Sequence, residues 1–234
     1  MAVSVSKISS FNSCHYKYKL QYIDKVPQEI PECFSRGSRI HKALEHLEDT
    51  ESPEALRFLE SPLGVKYRDV ILTGSRERRI GLKVSDGKVV PCEFSDKDCF
   101  FHGIIDVLSE GFLLDYKTGK ARRFSEQDWT QLMFYAVWYF LMYPERDSVV
   151  LSYLYVEHSA ENSVTMKRSF LEPVISKLLN KVLEIRDYEN NPTDEHSTTA
   201  LCDYCTVRKN CKFYAETLEN TEFQLTELDG LLSK

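Results

Sequence analysis

The spacing of apolar positions changes along the chain, and the changes mark its elements. Over SVSKISSFNSCHYKYKLQYI, residues 4–23, Ile8, Phe11 and Cys14 recur at helical spacing behind serine caps, which predicts a helix. A loop with Pro27 and Pro31 follows, and SRGSRIHKALEHLED then predicts a second helix with Ile40, Leu44 and Leu47 as its stripe. Pro53 and Pro62 punctuate a further helical segment. From about residue 76 the period shortens to two. RERRIGLKVS, KVVPCEFS, DCFFHGIIDVL and FLLDYKTG read as successive strands, with Asp86-Gly87 and Ser109-Glu110-Gly111 as turns. EQDWTQLMFYAVWYFLMYP reads as a long helix ended by Pro144, SVVLSYLYVEH as a strand, and EPVISKLLNKVLEIRDYEN as an amphipathic helix. The order of helices, strand meander, helix, strand and helix predicts a mixed α/β core, flanked by a polar, cysteine-rich end.

Against that pattern, Asp106, Asp115 and Lys117 interrupt the apolar runs of GIIDVL and FLLDYK. A charge in a strand core is costly unless it is paired or coordinated. Asp115 and Lys117 lie two apart on one strand, so their side chains share a face while Tyr116 points away. An even connecting loop, or a bulge, brings Asp106 of the preceding strand to the same face. Two carboxylates there make an oxygen site suited to Mg²⁺ or Mn²⁺, and a neighbouring ammonium can orient a water or stabilise developing phosphorane charge. Taken alone, the D-x-K tripeptide is equally compatible with a surface ion pair on an exposed strand.

Composition changes this picture little. The 234 residues are 42% hydrophobic and 28% charged, as in ordinary globular proteins, and can bury one substantial core. The net charge of −6 gives no global support for nucleic-acid binding, which rests instead on local basic clusters such as Lys117, Lys120, Arg122 and Arg123. The N-terminus is too polar for a secretory signal, and LMFYAVWYFLMY, the longest apolar run, is too short to span a bilayer. The expectation is a cytoplasmic protein (host cytoplasm if virally encoded) with no membrane partner. In a reducing compartment its seven cysteines point to metal before disulfides.

GIIDVL…LLDYKTGK resembles motifs II and III of RecB-type nucleases of the PD-(D/E)xK superfamily. The resemblance implies a restriction-endonuclease-like core, a mixed central sheet flanked by helices. It makes Asp106 and Asp115 metal ligands, adds the main-chain carbonyl of Tyr116, and makes Lys117 catalytic. The family's upstream G-x-x-x-H-x-x-L-E pattern matches Gly37 to Glu45 and makes His41 a ligand, where spacing alone gives a packing histidine. The family's Q-x-x-x-Y helix matches Gln131 to Tyr135. That implies a catalytic role for Gln131 at the attacking water or a phosphate, and a DNA contact for Tyr135. Arg122 and Arg123 lie where they could reach substrate phosphates. Glu77 corresponds loosely to an earlier acidic position.

Cys202-Asp-Tyr-Cys205 with Cys211 supplies three thiols, and a fourth ligand would come from Cys14, Cys33, Cys92 or Cys99. The spacing leaves zinc and iron–sulfur open. The resemblance, here to AddB-type and CRISPR-adaptation nucleases, chooses Cys14 and a [4Fe–4S] cluster. The implied organisation is a single domain over 1–234, with a nuclease core at about 34–190 and an iron–sulfur-stapled helical end formed by 1–30 and 191–216. The implied function is Mg²⁺- or Mn²⁺-dependent hydrolysis of DNA, most simply by an exonuclease on single strands or ends. Its setting would be DNA repair, recombination or CRISPR adaptation, with proteins of those systems as partners. Two rivals fit the same residues: a non-catalytic nucleic-acid-binding scaffold that retains the fold, and a zinc-stabilised interaction domain.

Overall fold

The computed structural model describes residues 2–46 and 52–214, apart from the side chains of Cys33, Phe34 and Ala200. The chain divides into two compact units: the described parts of Met1–Val5 with Glu32–Leu183, and of Ser6–Pro31 with Glu184–Lys234. Among the described residues no helix is long and apolar enough to cross a membrane.

The first unit is built on a seven-stranded sheet of order β3-β2-β4-β5-β6-β7, with β1 (Val3–Ser4) pairing in parallel along β4. β2 (Ser75–Ser85), β3 (Lys88–Cys92), β4 (Phe101–Ser109) and β5 (Phe112–Lys117) are the antiparallel strands that the period-two pattern predicts, but not in a simple meander: β2 pairs with both β3 and β4, which leaves β3 at the edge. β5 then pairs in parallel with β6 (Ser148–Tyr155), connected by helix α6 (Thr130–Met142). A parallel pair requires such a crossover. β7 (Ala160–Lys167) closes the far edge, antiparallel to β6.

Helix α3 (Glu32–Glu45) is the second predicted helix, and its reading to Asp49 runs into residues outside the described ones. The further helical segment that Pro53 and Pro62 punctuate is two helices, α4 (Pro53–Glu60) and α5 (Pro62–Thr73). Each starts at a Ser-Pro pair: Ser52 Oγ accepts from Ala55 N at 3.3 Å and Ser61 Oγ from Gly64 N at 3.1 Å. Serine satisfies an orphan amide while proline at N1 gives up none. Ile40, Leu44, Phe58, Tyr67 and Ile71 of these helices bury against Leu114 and Tyr116 of β5. Asp115 lies between those two residues, so its side chain faces the opposite way.

In the second unit the long first helix of the sequence reading is broken. α1 (Val5–Ser13) stops before Cys14, whose sulfur caps the short α2 (His15–Tyr18), and a π-helical turn follows over Lys19–Ile23. Here Tyr16, Leu20 and Val207 form a small core flanked by Cys14, Cys205, Cys211 and Phe213. The helix α7 (Leu171–Asn190) contributes its last residues to this unit.

Candidate active site

The β4–β5 hairpin turns through Glu110-Gly111 and places Ser109 opposite Phe112 and Val107 opposite Leu114. The loop is even, so the register carries Asp106 to the level of Asp115. The two strands stop pairing at that level, which leaves both carboxylates in the gap rather than in the ladder. Asp106 Oδ2 accepts from the backbone N–H of Tyr116 at 2.7 Å, and Asp115 is only 3% exposed.

Three residues close round these carboxylates. His41 of α3 brings Nδ1 to 3.4 Å from Asp106 Oδ2. Gly37, one turn earlier, lets α3 come close to the chain leaving β5: a Cβ there would fall 2.7 Å from Thr118 Oγ1 and would force that side chain to move. Lys117 Nζ lies 2.5 Å from Asp115 Oδ1 and donates to Gln131 Oε1 at 2.9 Å. Gln131, at the start of α6, donates its amide N–H to Asp115 Oδ2. One glutamine thus bridges the aspartate and the lysine, accepting from one and donating to the other.

Two positions supporting Gln131 and Lys117 are aromatic. Tyr135, one turn beyond Gln131, is 4% exposed and brings its hydroxyl to 3.5 Å from Gln131 Nε2. Its ring fills the space over Gly103, where a Cβ would meet Tyr135 Cε1 at 2.4 Å. So placed, the tyrosine props Gln131 and offers little ring to solvent. Tyr153 was not anticipated from the sequence. It pairs with Asp115 in the β5–β6 register, is 2% exposed, and presents its ring 4.8 Å from Lys117 Nζ. A cation over an aromatic face is attracted by the ring quadrupole. The signal in SVVLSYLYVEH was only a tyrosine in a buried strand.

The electrostatics are those of crowded acids. Burial pushes the Asp106 carboxyl well above the usual carboxylate range and the Asp115 charge pushes it further, against the Tyr116 N–H. Burial is also the main cause lowering the His41 pKa, with the Lys117 charge acting in the same direction. Its imidazole is thereby held in the neutral form a ligand needs. Glu77 stands in β2 between Arg76 and Arg78, which pair with Val107 and Ile105, so it faces Asp106 across the sheet. Its φ of 49° is left-handed, a strained conformation for glutamate. Burial raises its carboxyl, and Glu45 and Asp115 raise it further.

Among the described residues no group of three or more His, Cys, Asp or Glu is arranged to hold a metal ion. The donor set nevertheless fits a hard divalent cation. Asp115 Oδ1 is buried and, although close to Lys117, receives no well-directed hydrogen bond. Two carboxylates that repel one another and the Tyr116 carbonyl are the oxygen donors such a cation takes, and the neutral imidazole of His41 stands beside them.

Arg122 and Arg123 are exposed on the loop between β5 and α6, and Arg123 pairs with Glu126. The cysteines lie in the second unit. Cys14, Cys202, Cys205 and Cys211 are free and line one cavity of about 300 Å³. Lys17 N donates to Cys14 Sγ at 3.4 Å and Thr199 N to Cys202 Sγ at 3.5 Å. Burial raises the Cys211 thiol, and charge on Cys205 and Cys14 would raise it further, as expected of sulfurs gathered together. Cys92 and Cys99 are elsewhere, in the first unit.

A family model of the PD-(D/E)XK nuclease superfamily matches residues 2–212. The chain belongs to that superfamily, which implies nuclease activity in general and Mg²⁺ or Mn²⁺ as the usual cofactors. Among the solved structures it matches is one described as "Crystal structure of SSO0001", at 14% identity and a TM-score of 0.46, covering 90% of this chain and 85% of that one. No curated protein matches the sequence.

Proposed function

We propose that this chain is a RecB-type deoxyribonuclease that hydrolyses phosphodiester bonds at the gap between β4 and β5, acting as an exonuclease on single-stranded DNA or DNA ends. The observation that carries the reading is the convergence of Asp106, Asp115, Lys117, Gln131 and His41 from four different elements on one buried point. A structural ion pair needs only two of them.

His41, Asp106, Asp115 and the Tyr116 carbonyl would hold one or two Mg²⁺ or Mn²⁺ ions. Bound there, a divalent cation would polarise the scissile phosphodiester and acidify an attacking water. Lys117, anchored at its ammonium by Asp115 and Gln131, stabilises negative charge developing on the phosphate oxygens. Gln131 keeps that ammonium and the Asp115 carboxylate in register, and its amide is placed to orient the nucleophile. Arg122 and Arg123 engage backbone phosphates and carry no sequence information.

In the second unit, Cys14, Cys202, Cys205 and Cys211 would hold a [4Fe–4S] cluster. Four free thiols around a cavity of about 300 Å³, two of them already accepting backbone N–H bonds, support that centre. Clamping residues so distant in sequence restricts the unfolded chain. The setting would be intracellular DNA repair, recombination or CRISPR adaptation.

The test is digestion of linear single-stranded, linear duplex and closed circular DNA with Mg²⁺, Mn²⁺ or EDTA, with each linear strand labelled at its 5′ or 3′ end. The reading expects metal-dependent loss of the linear single strand progressing from one end. Cleavage of circles at the same rate would replace the exonuclease with an endonuclease. Inactivity of folded protein towards every substrate would remove the nuclease reading.

A further inference from the structure

The loop between β5 and α6 carries an aromatic residue that the hydrolytic chemistry does not use. Phe124 is 56% exposed, in a 3₁₀ turn between the exposed cations Lys120 and Arg122 and the start of α6. Its ring stands 5.6 Å from that of Trp129, which stands 5.5 Å from Tyr153, the ring beneath Lys117. Three contacts therefore run from solvent to the active-site ammonium. A lone exposed phenylalanine is ordinary; one that heads such a row is less so.

The loop is fixed from below. Asn162 of β7, itself 7% exposed, donates Nδ2 to the Arg122 carbonyl at 3.0 Å and to Gln127 Oε1 at 3.0 Å. The Tyr155 hydroxyl donates to the same Gln127 oxygen at 2.5 Å. These bonds hold the Arg122 backbone on one side of Phe124 and the Gln127 side chain on the other, while the Phe124 ring and the cations are exposed. Among the described residues no carboxylate pairs with Lys120 or Arg122, whereas Arg123 is paired with Glu126.

We infer that Phe124 and Trp129 form a stacking platform that receives bases of a single-stranded DNA end, with Lys120 and Arg122 on its phosphates. This rests on the nuclease reading and deepens it by assigning the strand selectivity. Two observations favour a nucleic-acid occupant over an apolar peptide. The aromatic rings share their loop with Lys120 and Arg122, exposed cations that complement phosphates, and the row ends at the residue proposed to act on a phosphodiester. A single strand is favoured over a duplex because only unpaired bases offer free π-faces.

The test measures binding in EDTA, so that no strand is cut. Oligothymidylate, an abasic strand of equal length and a blunt duplex are titrated against wild type, Phe124→Ala and Phe124→Tyr. Wild type should prefer oligothymidylate to the abasic strand. Phe124→Ala should lose roughly 5- to 100-fold on oligothymidylate, and nothing on the abasic strand. Phe124→Tyr should restore binding. Oligothymidylate should quench the half-buried Trp129, a signal absent in Trp129→Phe. The melting temperature of Phe124→Ala should match wild type, since the ring is exposed. Equal binding of oligothymidylate and abasic strand by wild type, or an unaltered affinity in Phe124→Ala, would overturn the platform while leaving the nuclease in place. A wild-type protein that neither binds nor cuts any of the strands would remove both.

Discussion

At Lys117 the ammonium is shared among Asp115 Oδ1, Gln131 Oε1 and the face of Tyr153. The aromatic share can be separated from the others. A partly desolvated cation–π contact is worth about 1–2 kcal/mol, or about 5- to 30-fold in rate. Tyr153→Phe keeps the face and should retain single-turnover hydrolysis, whereas Tyr153→Leu should lose that factor in kcat with KM little changed. Losses of equal size in both variants would point to the hydroxyl instead. Gly103 supplies a second case. An added methyl would lie 2.4 Å from the Tyr135 ring, and overpacking of this kind costs about 1–3 kcal/mol. Gly103→Ala should therefore lower the melting temperature and slow hydrolysis, and adding Tyr135→Leu should recover part of the stability. A double-mutant cycle showing no coupling would refute the contact. Asp106, Asp115, Lys117, His41 and Gln131 were legible as charged or polar residues at spacings that a hydrophobic pattern does not explain. Tyr153 was not, because an aromatic in a buried strand looks the same whether it packs or holds a cation.

The elements were legible where one period dominated. β5 opens on an apolar run and α6 is apolar almost throughout, and their boundaries follow from the sequence to within a few residues. β7 escaped because AENSVTMK buries only Asn162 and Met166, and an edge strand shows too little alternation to read. The start of α6 was placed too early: Gln127 has an extended backbone, and Asp128 Oδ1 accepts from Thr130 N at 2.9 Å, so the helix begins only at Thr130. In the second unit, what the sequence showed only as a polar stretch is ordered by charge. Asp194 lies 2.9 Å from Lys19 and 2.5 Å from Lys212, and hydrogen bonds from Lys212 and Lys19 hold its carboxyl down at about 2. A depressed carboxylate contributes stability above its unfolded value near 3.8, and the contribution disappears as pH falls towards 2. Asp194→Asn should lower stability at neutral pH, leave it little changed near pH 2, and so flatten the acid limb between them. An unchanged acid limb in chemical denaturation would show that the pair of lysines does not matter.

On the scale of the molecule, the sheet and its helices place the carboxylates, while the cysteines gather in a separate unit. The account therefore expects two kinds of loss. Cys202→Ser should abolish the iron absorbance of protein purified without air and lower its thermal stability. Asp115→Asn should leave both nearly unchanged. Zinc in place of iron in the anaerobic protein would replace the cluster without touching the active site. The grouping of Cys14 with the C-terminal cysteines could not be derived from spacing, because four cysteines were eligible and only the fold brings one of them to the cavity. The most direct test of the central claim is the single-turnover rate of DNA hydrolysis in Mn²⁺ for wild type, Asp115→Asn and Lys117→Ala, each shown to be folded. The account predicts hydrolysis by wild type that EDTA abolishes, and a loss of at least about 100-fold in both variants. Retention of wild-type rates by either variant would contradict it.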